Sequence, residues 1–136
     1  MGVEHVILDT EHAFIEKFLL KRVTKMNCVF CKIINKEIPS RIVYEDDKVL
    51  AFEDINPQAP THILVIPKKH FSNLVDMDDK ELIGHIFMVI KKIAKDRGAD
   101  ERGFRVVMNC NSEAGQTVYH THFHLLAGRK MHWPPG

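Results

Sequence analysis

The sequence lacks a strong excess of charge, a long apolar run and an even set of cysteines. Its formal net charge is +1 over 136 residues, which argues against a protein that binds nucleic acid by electrostatic attraction. No apolar run approaches the length of a membrane-spanning helix, so we expect no membrane partner. Three cysteines make a poor disulfide framework, and we therefore expect an intracellular, cytoplasmic protein.

Histidine, by contrast, occurs nine times, and three of the nine alternate in the stretch TVYHTHFHLL at 117–126. Successive side chains of a β-strand point to opposite faces, so a strand here would place His120, His122 and His124 on one face, about 7 Å apart. Imidazole serves as base, acid, nucleophile or metal ligand near neutral pH. The alternation predicts a functional strand without separating catalysis from metal binding, and a solvated histidine-rich edge strand is the alternative.

Two of the three cysteines, Cys28 and Cys31, form a C-x-x-C pair. In an intracellular protein this spacing indicates a redox pair or half of a zinc site. A redox motif of the thioredoxin type follows a strand, whereas the segment before Cys28 has a helical, charged pattern. Two thiolates with two imidazoles are a common tetrahedral zinc set, and two buried thiols without a ligand are the remaining alternative.

Two stretches have the periodicity of an amphipathic helix. The first, over 10–25, contains acidic residues that argue against a transit peptide, so we expect a helical extension within residues 1–26. The second carries an apolar stripe and is expected to run to about Arg97, capped by Asp76 or Asp78. This stripe indicates a core helix rather than part of a site.

Strand-like runs separated by turns occupy much of the remaining sequence. In the run THILVIP, alternation places His62, Leu64 and Ile66 on one face. With the helices segregated from the strands, the order of elements predicts an antiparallel sheet of the α+β class. The runs are 40–44, 48–53, 61–67, 103–108 and the histidine stretch.

A polar loop at 109–116 comes directly before the histidine stretch. Its Gly115 allows the backbone to approach a ligand closely. Backbone N–H groups of this loop, together with the Thr117 hydroxyl, would hold an anion. A plain hairpin turn is the alternative, and the loop alone favours neither.

Several separated motifs, taken together and in order, resemble one known family. The stretches NCVFCKIINKEIPS, YEDDKVLAFEDINPQAPTHILVIPKKH, GQTVYHTHFHLL and MHWPPG resemble the histidine-triad superfamily. Within it they are most similar to the histidine-triad nucleotide-binding proteins that act as purine nucleoside phosphoramidases. The likeness covers about residues 27–136, so we expect an N-terminal extension over 1–26 and a family domain over 27–136 that includes the C-terminal tail.

The resemblance implies a fold, a reaction and partners. The fold would be a five-stranded antiparallel sheet with two main helices, extended across a two-fold axis into a homodimer. The substrate would be a phosphoramidate of a purine nucleotide, AMP or GMP, whose P–N bond is cleaved through a covalent nucleotidyl-histidine intermediate. The C-terminal tail would reach the partner's site and shape the preference for the leaving group.

The resemblance also implies roles for single residues. His122 would be the nucleophile, and His62 and His120 would support and orient it. His124 would face the phosphate, and Asp54 would bind the ribose hydroxyls. The other expected nucleotide contacts are Phe30 and Ile55 at the base and Asn109, Gly115, Gln116 and Thr117 around the phosphate.

For the cysteine pair, the zinc-carrying relatives in the galactose-phosphate uridylyltransferase group imply a ligand set. It would consist of Cys28, Cys31, His70 and His120, in a closed structural zinc site. Catalysis itself is expected to require no metal, because imidazole attack on phosphorus followed by water is covalent catalysis by the side chain alone. If zinc occupies His120, that residue cannot pass protons.

Two other functions remain open from the sequence. The same His122 would serve a dinucleoside polyphosphate hydrolase or a nucleotidyltransferase, although the ending WPPG is typical of the phosphoramidase branch. A nucleotide-binding scaffold protein with incidental activity is the second alternative.

Overall fold

The structure is a computed structural model that describes residues 27–136, so the helix predicted over 10–25 lies outside the described residues. Five strands form one antiparallel sheet in the order β1-β2-β3-β5-β4, which confirms the predicted α+β class. The strands are β1 (Ile42–Glu45), β2 (Val49–Glu53), β3 (Thr61–Pro67), β4 (Phe104–Val107) and β5 (Phe123–Ala127). The helices are α1 (Val29–Ile34), α2 (Lys80–Asp96) and α3 (Ala99–Arg102), and short 3-10 turns occur at Leu74–Asp76 and Ser112–Ala114.

The central strand β3 decides which side chains reach each face of the sheet. It pairs with β2 on one side and with β5 on the other. His62 and Leu64 lie on one face, as the alternation predicts, and Leu64 packs there against Phe30 of α1. Ile63 and Val65 lie on the other face, against α2. We call these the histidine face and the helix face.

Helix α2 covers the helix face with the apolar stripe that the sequence predicts. The stripe is buried and consists of Leu82, Ile86, Val89, Ile90 and Ile93. The predicted cap at Asp76 or Asp78 is wrong, because the side chain of Asp79 accepts the N–H of Leu82 at 3.0 Å. Asp76 belongs instead to the preceding 3-10 turn, which Asn73 caps.

The histidine stretch forms a shorter strand than its alternation predicts. β5 begins at Phe123, so the prediction of a strand over 117–122 is wrong. The N–H and hydroxyl of Thr121 both donate to the carbonyl of Phe71, at 2.7 and 3.0 Å. These bonds hold the segment outside the sheet ladder, and only His124 of the three histidines lies in a strand, opposite Leu64 on the histidine face.

The sheet has two edges, β1 and β4. β4 pairs with β5 so that Val107 lies opposite His124, which brings the loop after β4 to the same end of the sheet as the histidines. Within residues 27–136, no helix combines the length and apolar character needed to cross a membrane.

Candidate active site and metal centre

His122 is held by a backbone carbonyl of its own segment. Its Nδ1 atom lies 2.8 Å from the carbonyl oxygen of His120. A carbonyl oxygen only accepts hydrogen bonds, so Nδ1 carries the ring proton and Nε2 of the neutral imidazole keeps its lone pair. The ring is 6% exposed and lies edge-on to Phe30, with ring centroids 5.1 Å apart. His122 is therefore a buried ring with one unprotonated nitrogen.

His124 and His62 are joined by a hydrogen bond, and a backbone N–H decides which ring nitrogens carry protons. The N–H of Gln58 donates to Nδ1 of His62 at 3.0 Å, so in neutral His62 the proton is on Nε2. That Nε2 lies 2.9 Å from Nδ1 of His124 and donates to it. His124 then carries its own proton on Nε2, and this nitrogen is a donor.

The same hydrogen bonds decide between a proton relay and a metal site at this position. Asp54, His62 and His124 have side-chain donor atoms within 4.8 Å of one another, and Asp54 Oδ2 lies 3.4 Å from His62 Nε2. A metal ligand must offer a lone pair, whereas the Gln58 amide keeps the proton on His62 Nε2. The group is therefore an ordered set of donors and acceptors rather than a metal centre.

Burial keeps all three rings of this site neutral near pH 7. Burial, together with the neighbouring rings of His122 and His62, lowers the pKa of His124 to about 4, while Asp54 acts in the opposite direction. Burial also lowers the pKa of His122, against the hydrogen bond to the His120 carbonyl and the charge of Asp54. The pKa of His62 is lowered by burial as well, again opposed by Asp54. Neutral rings offer one lone pair and one N–H each.

The rings of His122 and His124 are neighbours, with centroids 5.0 Å apart. A lone pair on His122 and an N–H on His124 thus lie side by side. This combination suits attack on an electrophilic centre that carries anionic oxygens, because the donor can bind an oxygen while the lone pair attacks.

Three of the residues expected at the nucleotide follow β2 and β4, the strands that pair with the histidine-bearing strands β3 and β5. Asp54 directly follows β2, is partly buried and contacts His62. Ile55 is 94% exposed. Asn109 is partly buried and lies two residues beyond Val107, which pairs with His124. Of these residues, Asp54 contacts a histidine directly, and the ligand roles of all three stay predictions.

The loop before the histidines has an internal network that the sequence does not reveal. The buried Gln116 side chain accepts the Asn111 N–H at 2.7 Å and donates to the carbonyl oxygen of Ser72 at 2.8 Å. The N–H of Gly115 donates to Ser112 and the N–H of Gln116 donates to Asn111. Both amides that we expected at a phosphate are therefore engaged inside the loop, because the chain closes a 3-10 turn there and caps it with Gly115 in the left-handed region, φ 90°.

The predicted zinc ligands come together at the start of α1. Cys28, Cys31, His70 and His120 offer ligand atoms within 4.8 Å of one another. Nδ1 of His120 lies 3.4 Å from Cys28 Sγ and 3.6 Å from Cys31 Sγ, and Nδ1 of His70 lies 3.4 Å from Cys31 Sγ. Tetrahedral zinc places sulfur and nitrogen ligands about 3.5 Å apart, given its usual bond lengths. The four residues fit this ion.

The proton position of His120 fits the same conclusion. Its Nε2 lies 2.8 Å from the carbonyl oxygen of Pro67, so Nε2 carries the proton and Nδ1 turns its lone pair toward the cysteines. A backbone carbonyl commonly fixes a metal-binding histidine in this way. His120 therefore supports His122 through its carbonyl, while its ring belongs to the cysteine cluster.

A comparison with known families identifies the domain. Residues 35–131 match the model of the HIT domain. The chain belongs to the HIT domain family. This confirms the histidine-triad resemblance, and residues 27–34 with their two cysteines precede the part of the chain that the HIT domain model matches.

Relatives of this HIT domain cover most of its chain. A "14 kDa zinc-binding protein" of Zea mays is 51% identical over 121 residues, which are 86% of this chain and 94% of the relative. The crystal structure of a HIT family hydrolase from Legionella pneumophila Philadelphia 1 superposes with a TM-score of 0.79 at 54% identity, covering 81% of this chain and 100% of that one. A histidine triad nucleotide-binding protein from Candida albicans has a TM-score of 0.71 at 38% identity, covering 79% and 83% of the two chains.

Three residues of the HIT domain site were not found from the sequence. Gln58 acts through its backbone N–H, which every residue type except proline has. Pro67 acts through its backbone carbonyl, which every residue type has. Arg129 donates from Nε to the Gln58 carbonyl at 2.9 Å and so contacts the same residue whose N–H orients His62. The only signal for them in the sequence is that the proline-rich loop and the residues after β5 flank the histidine strands.

Proposed function

We propose that this protein hydrolyses the P–N bond of purine nucleoside phosphoramidates through a nucleotidyl intermediate on His122. The observation that best supports this is the bond from His122 Nδ1–H to the His120 carbonyl, 2.8 Å long, which leaves a lone pair on Nε2 beside the Nε2–H of His124. The similarity to a HIT family hydrolase and to a histidine triad nucleotide-binding protein supports hydrolysis and nucleotide binding.

In the first step, Nε2 of His122 attacks phosphorus as the P–N bond breaks, and the amine leaves with a proton taken from solvent. The ring becomes cationic, and the His120 carbonyl accepts from its Nδ1–H. The Nε2–H of His124 binds a phosphoryl oxygen throughout. Water then attacks phosphorus and loses a proton to solvent as the bond from phosphorus to His122 Nε2 breaks, which releases the nucleoside monophosphate and returns the lone pair to His122.

The binding residues in this proposal are those that flank the histidines. Asp54 would bind the ribose hydroxyls, and Ile55 and Phe30 would contact the base. Asn109 and Thr117 would contact the phosphate with His124. Ile55 is 94% exposed, so its side chain is accessible to a bound purine ring.

We also infer that Cys28, Cys31, His70 and His120 hold a structural zinc ion. A closed set of four protein ligands leaves no position for substrate, so zinc would tie α1 to the histidine segment without entering the reaction. We propose further that two copies pair into a homodimer through the edge strand β4, whose outer edge pairs with no strand of residues 27–136. Light scattering of the purified protein tests this pairing, and a monomer would contradict it.

The reaction is tested by offering AMP linked to lysine or tryptamine through a P–N bond, beside diadenosine polyphosphates. Faster turnover of the phosphoramidates supports the proposal, and faster turnover of the polyphosphates supports the alternative hydrolase. Binding of AMP with turnover of neither supports a scaffold protein. Rapid acid quenching followed by intact mass analysis is expected to detect one added nucleotidyl group on His122.

A further inference from the structure

A cleft of about 410 Å³ lies where the ends of β3 and β5 meet α3 and the residues after β5. Its volume is in the range of sites that hold small molecules. The residues that line it include four cations, Arg97, Arg102, Arg129 and Lys130, and no acidic residue. We call it the basic cleft.

The basic cleft is on the opposite face of the sheet from the histidines. Thr61 and Ala127 both line it and lie directly opposite each other in the ladder. The next pair in register, His62 and Leu126, belongs to the histidine face, and alternation turns Thr61 and Ala127 the other way. Ala127 packs against α2 and α3 through small side chains, so the cleft opens on the helix face.

Among residues 27–136, the neighbouring residues neutralise the charges of the cleft only in part. Arg97 pairs with Glu53 at 2.8 Å. Arg129 directs Nε and one terminal nitrogen to the neutral carbonyl oxygens of Gln58 and Lys130, at 2.9 and 3.0 Å. Its positive charge, and those of the exposed Arg102 and Lys130, thus concentrate at one place in a chain whose formal net charge is +1. Such a field attracts anions.

The wall of the cleft is open at two glycines. Gly98 and Gly103 line it with φ values of 73° and 110°. A Cβ atom added at either glycine would meet nothing within 4 Å. The space beside the backbone is therefore free, and a ligand with several oxygens can enter between the cationic side chains.

We propose that the basic cleft binds a small molecule that carries two or more adjacent phosphate groups. The Arg102 guanidinium matches phosphate oxygens in pairs, Arg129 adds its positive charge and its second terminal nitrogen, and the Lys130 ammonium adds a point charge. A single phosphate would satisfy only part of this set. The cleft is on the opposite face of the sheet from the histidines and shares only Arg129 with the surroundings of His62, so its ligand does not depend on the reaction proposed for the histidines.

The test uses inorganic pyrophosphate as the probe, with the full chain, in isothermal titration calorimetry at low ionic strength. Arg102→Ala/Lys130→Ala is the informative variant, because Arg97 and Arg129 hold other parts of the fold. We expect this variant to bind pyrophosphate about tenfold or more weakly than the original chain. The matched control Lys48→Ala/Lys91→Ala removes the same charge from exposed residues outside the cleft and is expected to retain the affinity.

His122→Asn separates the two candidate anion sites. If the proposal holds, this variant binds pyrophosphate as the original chain does. Loss of binding in His122→Asn with retention in the cleft variant would overturn the proposal, as would equal weakening in the cleft variant and its control, or no saturable binding by the original chain. Should the alanine variant fail to fold, Arg102→Gln/Lys130→Gln removes the same charges with longer side chains, and the same outcomes apply.

Discussion

The Nε2 atom of His62 lies 2.9 Å from the Nδ1 atom of His124, and the Gln58 amide occupies the other nitrogen of His62. This relationship assigns a proton to one nitrogen of each ring. His124 cannot take a second proton on Nδ1 without losing the bond to His62, which agrees with the low pKa that burial and the neighbouring rings impose on it.

Nitrogen-15 NMR of the histidine rings should find His124 neutral, protonated on Nε2, down to a pH of about 4. The unfolded chain takes this proton at a pH of about 6.5. Because the folded chain does so only near 4, His124 lowers the free energy of unfolding as pH falls from about 6.5 toward 4. Asp54→Asn is expected to lower the pKa of His62, His122 and His124 further, since Asp54 raises each of them. A rise in that variant would contradict the assignment.

Replacing the nucleophile should abolish turnover and leave binding. We expect His122→Ala to reduce kcat for an AMP phosphoramidate by about 10³-fold or more, because no other group can form the intermediate. Calorimetry with AMP should find affinity within a few-fold of the original chain. His85→Ala is the control: His85 is on α2 and contacts Asp46 on the other side of the sheet, so its kcat should be unchanged. Appreciable turnover in His122→Ala would refute the mechanism.

The metal content of the protein distinguishes a zinc site from a pair of buried cysteines that bind no metal. Elemental analysis of protein grown with added zinc should find one zinc per chain in the original protein and in Cys110→Ser, whose cysteine lies outside the cluster. Cys31→Ser should contain much less. A chelator should lower Tm in the first two proteins, since zinc at about 1,000 times its Kd contributes about 4 kcal/mol. Absence of zinc from the original protein would contradict the proposed zinc site.

Asp46 holds together the turn between β1 and β2 and contacts α2. Its carboxylate accepts from Tyr44 at 2.6 Å, from His85 at 2.7 Å and from the amides of Lys48 and Val49 at 2.8 Å. Burial alone would raise the pKa of Asp46, but these bonds hold it well below its usual range. The stabilisation is present above the unfolded pKa of about 4 and is lost as pH falls through the folded pKa.

Asp46→Asn should therefore lower the free energy of unfolding at pH 7 by about 1–3 kcal/mol and make it less sensitive to pH below about 4. Urea unfolding at several pH values measures both effects. The control is Asp47→Asn at the exposed neighbouring position, for which we expect little change. Equal effects of the two substitutions would contradict the role given to Asp46.

Strand β3 could be predicted within its bounds because its residues alternate between two apolar faces and proline and lysine flank it. The start of β5 could not. Alternation of histidines at 120, 122 and 124 has the same appearance in a strand and in an extended segment outside the ladder. What removes His120 and His122 from the sheet is a set of bonds to Phe71 and Pro67, residues about 50 positions away.

The residue types of the site were predictable, whereas their pairing was not. Sequence predicts four histidines and an aspartate near one face, but the partner of His62 is His124, through a bond that depends on the strand register. The three aspartates before α2 show the same limit: each is a suitable cap, and the position of the preceding 3-10 turn selects Asp79.

His120 faces two neighbours at once, since its imidazole joins the cysteine cluster while its peptide oxygen holds His122. Substitutions that alter the cysteine cluster will therefore also change the position of His122, and the reverse holds as well. The cysteine cluster and the His122 ring therefore depend on the same residue. A homologue without the two cysteines would need another contact to fix the His120 peptide, because a mobile peptide would hold the His122 ring less firmly.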